Sequence, residues 1–154
     1  MDETLPTIAL GTDHAGFEYK EAVAKHLRQR GYPVLDFGTD SDAACDYADF
    51  VRPAAEAVPA GKARFAFVFG GSGNGEAIVA NKVPGIRCGV CWNTWTAEMT
   101  RLHNDANALS IGARTIDIPT ALEIVDVFLK TTFEGGRHLR RIQKIEQAVP
   151  SQQA

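Results

Sequence analysis

The chain has 154 residues, of which 45% are hydrophobic, and it carries a formal net charge of −3. This length and composition predict one domain with a full hydrophobic core over 1–154, ending in a frayed tail at 148–154. The mildly acidic balance argues against nucleic acid or an anionic membrane surface as a partner, and no apolar run approaches the ~20 residues that a membrane span needs. An odd number of cysteines and a start without a basic and apolar leader favour a reducing cytoplasm.

Short apolar runs alternate with helical patterns along the chain. We predict strands over 7–10, 34–37, 65–69, 87–91 and 108–111. We predict helices over 17–30, 46–57 with Asp46 as cap, from Ala77, over 94–103, from Pro119 as first residue to Lys130, and over 137–147. This alternation predicts an α/β fold, a Rossmann-like three-layer αβα sandwich with a five-stranded parallel sheet.

In such a sheet, ligands bind beyond the carboxyl ends of the strands, near the point where the strand order switches. The polar residues that directly follow the predicted strands are Asp13 and His14, the glycine-rich stretch 70–76, and Arg114. His103 falls at the opposite end of its helix. It reaches this edge only through a bend in the chain or from a neighbouring subunit.

The stretch 70–76 reads Gly-Gly-Ser-Gly-Asn-Gly-Glu and joins a strand to a helix. Backbone N–H groups at such a turn have no intrahelical partner, and the helix dipole favours negative charge, so an anion site is predicted. The P-loop is excluded because Glu76 and Ala77 stand where Lys and Ser/Thr are needed, and the glycine spacing does not match the dinucleotide fingerprint. A nest of amides beside Ser72 and Glu76 suits a substrate that becomes an oxyanion while a base removes a proton. The alternative is a tight turn with a solvated glutamate.

Other polar residues have two interpretations each. Asp13 and His14 form an acid/base or phosphate-binding pair, or Asp13 is a turn and cap residue. His103 exchanges a proton near neutral pH, or it is a partner of the helix dipole. Arg137 and Arg141 share one helix face, where they grip a phosphate or face solvent.

No metal site is expected from the cysteine and histidine spacings. Cys88 and Cys91 are three apart on a strand and therefore point to opposite faces, so we expect them to be buried and inert. The histidines lack zinc-ligand spacing and lie at positions 14, 26, 103 and 138. Trp92 and Trp95 either line a pocket or pack in the core, and core packing is expected.

Seven stretches carry a family resemblance: 11–16 (GTDHAG), 46–47 (DY), 71–76 (GSGNGE), 80–87 (ANKVPGIR), 103–107 (HNDAN), 112–114 (GAR) and 134–141 (EGGRHLRR). In this order they resemble the ribose-5-phosphate isomerase type B enzymes and their galactose-6-phosphate isomerase relatives. The likeness covers roughly 8–145, nearly the whole chain.

The resemblance implies interconversion of ribose 5-phosphate and ribulose 5-phosphate through an enediolate, without metal or organic cofactor. It makes Glu76 the base that carries a proton between C1 and C2. One branch of the family uses a cysteine just before the glycine loop, where this chain has Gly70; Glu76 matches the branch that uses a carboxylate. The resemblance gives opening of the sugar ring to His103, with Asp13 near the ring oxygens.

The resemblance also implies the substrate contacts. The enediolate charge would be stabilised by the Ser72 hydroxyl and by the loop amides of Gly71, Gly73, Asn74 and Gly75. The phosphate would be bound by His14, Arg114, Arg137 and Arg141, and the sugar hydroxyls would be contacted by Tyr47 and Asn104. In the family the site lies between two subunits, so a homodimer or a dimer of dimers is expected.

Two alternatives remain. The enzyme is an isomerase of another sugar phosphate (allose or galactose 6-phosphate, or a tetrulose phosphate), since the loop 39–45 is expected to influence the preferred chain length. Alternatively, the protein is a sugar-phosphate sensor that has lost catalysis. Ser72 and Glu76 argue against the sensor, because binding alone needs neither a base nor a donor to an enediolate.

Overall fold

The computed structural model describes residues 3–147, so the predicted tail at 148–154 lies outside the described residues. The strands are β1 (Ile8–Thr12), β2 (Val34–Asp36), β3 (Phe65–Gly70), β4 (Cys88–Val90) and β5 (Ala108–Gly112). The helices are α1 (Phe17–Gln29), α2 (Tyr47–Glu56), α3 (Asn74–Asn81), α4 (Thr94–Asn104), α5 (Ile118–Lys130) and α6 (Arg137–Ile145). The predicted order of elements is confirmed.

All five strands are parallel, in the order β2-β1-β3-β5-β4. The strand β1 pairs with β2 on one side and with β3 on the other, so the chain changes its direction of travel across the sheet at this point. At the carboxyl end of this pair, Thr12 lies opposite Phe69. The loops after β1 and β3 therefore meet in the crevice where ligands of open α/β sheets bind.

The two faces of the sheet bury side chains of different size. Phe65, Phe67 and Phe69 of β3 pack in one cluster with apolar residues of α1, α4 and α5. The intervening Ala66 and Val68 face the opposite way and pack with α2 and α3. Because side chains alternate along a strand, the continuous apolar run of β3 serves both layers. The predicted three-layer αβα sandwich is confirmed.

The helix α3 begins at Asn74, three residues before the predicted start at Ala77. Gly73 occupies the cap position in the left-handed region, with φ 83°, and its carbonyl accepts from the Ala77 amide at 3.1 Å. The glycine-rich loop therefore winds directly into the first helical turn. This places Glu76 inside that turn.

Two other predicted helix starts differ in detail. The helix α5 begins at Ile118 because the side chain of Asp117 accepts from the Thr120 amide at 2.9 Å, so Pro119 is the second helical residue and not the first. Asp46 stands at the cap position of α2, but its side chain makes no cap hydrogen bond. The cap role predicted for that side chain is wrong.

The predictions for the cysteines and for the tryptophans have different outcomes. Cys88 and Cys91 pack on opposite faces of the sheet, as predicted, and burial raises the pKa of the Cys91 thiol to about 12. Cys91 is buried as predicted, but the predicted burial of Cys88 is wrong, because it lies on the edge strand and is only half-buried. The core prediction for Trp92 and Trp95 is wrong, because they follow the short edge strand β4 and are 55% and 64% exposed. None of the described helices is both long enough and apolar enough to span a membrane.

Candidate active site

Glu76 is a buried carboxylate at the start of α3. Only 4% of the residue is exposed, and among residues 3–147 no group hydrogen-bonds its buried Oε2 atom. Burial raises the pKa of the Glu76 carboxyl and the negative charge of Asp13 raises it further, while the backbone amides of Glu76 and Gly73 oppose the shift. A buried carboxylate with an unsatisfied oxygen and a raised pKa has the properties of a general base.

The glycine loop supplies hydrogen-bond donors beside this carboxylate. Within the described part of the chain, the amides of Gly71, Ser72 and Gly75 make no hydrogen bond. The Asn74 amide, predicted to belong to the same nest, instead donates to the Ser72 Oγ atom at 3.2 Å. The Ser72 hydroxyl keeps its own proton for another acceptor. These N–H groups form a concave donor surface of the kind that binds anions.

Gly73, one of the predicted binding residues, has the backbone conformation that gives the glycine loop its concave surface. Its φ of 83° is in the left-handed region, and a Cβ at this position would lie 3.1 Å from the Gly112 amide nitrogen. The Ser110 hydroxyl donates to the Gly73 carbonyl at 2.7 Å. This hydrogen bond anchors the loop on β5. Position 73 needs glycine because a Cβ would crowd β5 and because the backbone is in the left-handed region.

Asp13 has the turn role that is one of its two interpretations. Its Oδ1 atom accepts from the amides of Ala15 and Gly16, at 2.9 and 3.2 Å, so it organises the turn that leads into α1. The residue is 7% exposed, and its charge contributes to the raised pKa of Glu76. The turn thereby holds a second carboxylate close to the first.

His14 connects the first turn to the loop 39–45. Its Nδ1 atom accepts from the Cys45 amide at 3.2 Å. Because Nδ1 is an acceptor here, the neutral ring carries its proton on Nε2. The hydrogen bond from the loop holds the ring in place and leaves this N–H as a donor.

Tyr47 and Arg114 border the glycine loop. A Cβ on Gly75 would lie 2.7 Å from Cζ of Tyr47, and a Cβ on Gly71 would lie 3.1 Å from Nη1 of Arg114. The Arg114 amide also donates to the Gly71 carbonyl at 2.9 Å. An aromatic hydroxyl and a guanidinium thus lie against the loop. We call the group formed by Asp13, His14, Tyr47, residues 71–76 and Arg114 the glycine-loop site.

The remaining predicted residues lie elsewhere in the fold, around the end of α4 and the start of α6. The ring of His103 stacks on His138, with ring centroids 4.3 Å apart. Glu134 Oε2 lies 3.8 Å from His103 Nε2, and Glu134 Oε1 lies 3.9 Å from Arg137 Nη1. Burial lowers the pKa of His138, and the charges of Arg137 and Arg141 add to this effect. We call this group, with Asn104, the α4–α6 site.

The two groups occupy opposite edges of the sheet. The helix α4 has 11 residues, so its ends lie about 16 Å apart. Just beyond its end, the Asn107 carbonyl accepts from the Ala66 amide at the amino end of β3. Glu76, in contrast, follows the carboxyl end of β3. One subunit therefore does not bring His103 to Glu76.

Two arginines without a predicted role hold the turn between α4 and β5. Arg101 is 5% exposed and donates to Asp105 Oδ1 at 2.9 Å and to the Ala106 carbonyl at 2.7 Å. Arg87 Nε donates to the Asn104 carbonyl at 2.9 Å. Arg87 belongs to one of the matching stretches, whereas no pattern in the sequence distinguishes Arg101 from a surface arginine. Both position the end of α4.

A parallel α/β sheet that presents a buried carboxylate beside free loop amides at its switch point has the architecture of a site for a small anionic substrate. The chain belongs to the Ribose/Galactose Isomerase family, whose model matches residues 8–145. It is 44% identical over 149 residues to ribose-5-phosphate isomerase B of Mycolicibacterium paratuberculosis, covering 96% of this chain and 94% of that protein. With ribose-5-phosphate isomerase B of Escherichia coli it shares 41% identity, over 90% and 93% of the two chains.

Solved structures agree with this assignment. The structure of Clostridium thermocellum ribose-5-phosphate isomerase B superimposes with a TM-score of 0.90 at 48% identity, covering 91% of this chain and 95% of that one. The Mycoplasma genitalium enzyme with bound ribulose 5-phosphate superimposes with a TM-score of 0.87 at 36% identity, over 91% and 93%. The predicted family is confirmed.

Proposed function

We propose that this protein is an aldose–ketose isomerase that interconverts ribose 5-phosphate and ribulose 5-phosphate. The observation that carries the proposal is the buried Glu76 carboxylate, with one oxygen lacking a hydrogen-bond partner among the described residues, beside unpaired loop amides. The relatives named ribose-5-phosphate isomerase B support the choice of substrate. One isomerase domain over 1–154 and a cytoplasmic location remain predictions within this proposal.

The chemical step is proton transfer between adjacent sugar carbons. Glu76 takes the proton from C2 of the open-chain aldose, which leaves an enediolate with its charge on O1. The same carboxyl then returns the proton to C1 while the O2 hydroxyl proton passes to O1, which gives the ketose. The amides of Gly71 and Gly75 and the Ser72 hydroxyl stabilise the charge on oxygen. Each such donor is typically worth ~10²–10³ in rate, and a positioned base is worth ~10²–10⁴.

Ring opening and substrate grip need residues from both sites. His103 of a second subunit would transfer the proton that opens the furanose, with Asp13 near the ring oxygens. The phosphate would lie between residues of the glycine-loop site and arginines of the partner's α4–α6 site: His14, Arg114, Arg137 and Arg141. Tyr47 and Asn104 would contact the sugar hydroxyls.

We infer a homodimer with shared sites from the separation of these groups. One chain carries two incomplete half-sites at opposite edges of its sheet, and a symmetric dimer would complete two sites at once. The exposed apolar side chains of Ile78, Trp92 and Trp95 lie around the edge strand β4 and offer a surface for such a contact. A dimer of dimers extends the same proposal.

Another sugar phosphate is the second candidate for the substrate. The hydrogen bond from Cys45 to His14 joins the loop 39–45 to a proposed phosphate ligand, so the loop influences the distance between the phosphate and Glu76. A six-carbon substrate needs a longer distance. A sensor without catalysis is less consistent with a carboxylate held in a buried and unsatisfied state.

A coupled isomerase assay tests the proposal. Turnover of ribose 5-phosphate, unchanged by a chelator and exceeding that of allose or galactose 6-phosphate, is the expected result. No turnover of any of these sugar phosphates would contradict the isomerase, and preference for a six-carbon substrate would correct the specificity. Sedimentation that shows a fully active monomer would refute the shared site.

A further inference from the structure

Three potential metal ligands converge in the α4–α6 site, from two parts of the chain that are 31 positions apart. The side chains of His103, Glu134 and His138 bring one ligand atom each to within 4.8 Å of one another. His138 is 4% exposed, and its Nε2 atom is buried without a hydrogen bond among the described residues. That nitrogen faces Glu134 Oε2 at 3.2 Å.

The donor set suits a transition-metal ion. Two imidazoles and one carboxylate form a known three-ligand set for Zn²⁺, whose ligands lie about 2.0–2.2 Å from the metal and therefore about 3.3 Å from one another. The separation of His138 and Glu134 already matches this distance, and His103 Nε2 is 3.8 Å from the same carboxylate oxygen. The stacked His103 ring must tilt toward the ion. Its side chain is 38% exposed, so it has room to do so.

The surrounding charges weaken the site. Arg137 lies 3.9 Å from Glu134, and Arg141 is close enough to influence His138. Both cations oppose a metal ion, but Arg137 is 60% exposed and is largely screened by water. We therefore expect a reversible site and not a permanently loaded one.

We propose that His103, Glu134 and His138 form a binding site for Zn²⁺ or a similar transition-metal ion, and that this ion inhibits the enzyme. A metal-bound His103 nitrogen has no free lone pair, so it cannot accept or deliver the proton that opens the sugar ring. The binding part of the proposal is independent of the proposed function. The inhibition part rests on it, because it assumes that His103 opens the ring.

Calorimetric titration of the full chain with Zn²⁺ alone tests the binding part. We expect one ion per chain, with affinity falling by more than about 10-fold in Glu134→Gln and in His138→Gln. His26→Gln is the matched control, because His26 pairs with the single carboxylate of Asp126 at 2.7 Å and lacks a third ligand. Unchanged affinity in that variant is expected.

Imidazole NMR of the unmodified protein gives a result that does not depend on folding of the variants. Zn²⁺ should shift the resonances of His103 and His138 and leave those of His14 and His26 in place. The site would be overturned if Zn²⁺ showed no saturable binding, or if binding were unchanged by both substitutions and shifted neither resonance.

The inhibition part is tested in the isomerase assay. We expect Zn²⁺ to inhibit turnover, a chelator to reverse the inhibition, and Glu134→Gln to weaken it. Binding without inhibition would retain the site and contradict the role given to His103.

Discussion

The carboxylate of Glu76 fills the space that a side chain at Gly70 would need. A Cβ built on Gly70 would collide with Oε1 and with the carboxyl carbon of Glu76. The other branch of the family is expected to carry its cysteine base at this position. The space beside the loop amides therefore holds a side chain from position 70 or from position 76, but not both. This chain fills it with the carboxylate.

Gly70→Ala should reduce kcat by roughly 10²-fold or more, because the methyl group displaces the carboxylate that we propose as the base. The measurement is steady-state turnover of ribose 5-phosphate. Gly61→Ala is the control, since Gly61 has open space around it and a φ of 76°. That change should cost about 1–2 kcal/mol of stability through its left-handed backbone and leave kcat unchanged. Equal kcat in both variants would show that the space at Gly70 is not needed for catalysis.

The pH profile of kcat/KM should show an acid limb above the ~4.3 of an ordinary glutamate. Burial raises the pKa of Glu76, and a base works only when ionised, so activity should rise with pH through this raised pKa. Because the profile is of kcat/KM, the limb reports the pKa of this group in the free enzyme. In Glu76→Gln, the limb should be absent from the residual activity; its persistence would assign it to another group.

The same shift predicts a cost in stability at neutral pH. An acid whose pKa is raised by folding stabilises the fold below its unfolded pKa, and this contribution is lost as pH rises through the folded pKa. Glu76→Gln should therefore have a higher Tm than the unmodified protein at pH 7, with the difference shrinking toward pH 4. Glu123→Gln, an exposed change on α5, is the control and should show no such trend. A lower Tm for Glu76→Gln at pH 7 would mean that the carboxylate stabilises the fold.

Dimers that combine one Glu76→Gln subunit with one His103→Ala subunit test whether the site is shared. The isomerase activity of each variant alone should be close to zero. After subunit exchange in a 1:1 mixture, half of the dimers contain both variants, and each of these has one intact site of two, so activity should return to about a quarter of the unmodified level. Sites built within one chain would stay inactive in every combination.

Much of the fold was predictable because its signals are local. The apolar runs of β1, β3 and β5 predict buried parallel strands, and the glycine-rich loop after β3 predicts the donor nest that the structure contains. The predicted start of α3 is three residues too late, because the glycines and Asn74 carry no helical pattern although Gly73 caps the helix. The exposed Trp92 and Trp95 follow an edge strand, and apolar composition alone does not reveal which strand is at the edge.

The candidate site was harder to predict because it depends on contacts that are distant in sequence. The collision between Gly70 and Glu76 depends on how the loop winds into α3. Similarly, His103 and His138 are 35 positions apart and meet only because α6 packs on the end of α4. Spacing rules for metal ligands apply to neighbours in one element and do not detect such a pair.

The most direct test of the central claim is the turnover and affinity of Glu76→Gln. The amide keeps the size of the side chain but accepts no proton, so kcat should fall by ~10²–10⁴ while the dissociation constant for ribose 5-phosphate changes only a few-fold. Calorimetry and the coupled assay on the same preparation give both values. Turnover that survives the substitution, or affinity that falls in parallel with it, would contradict Glu76 as the base.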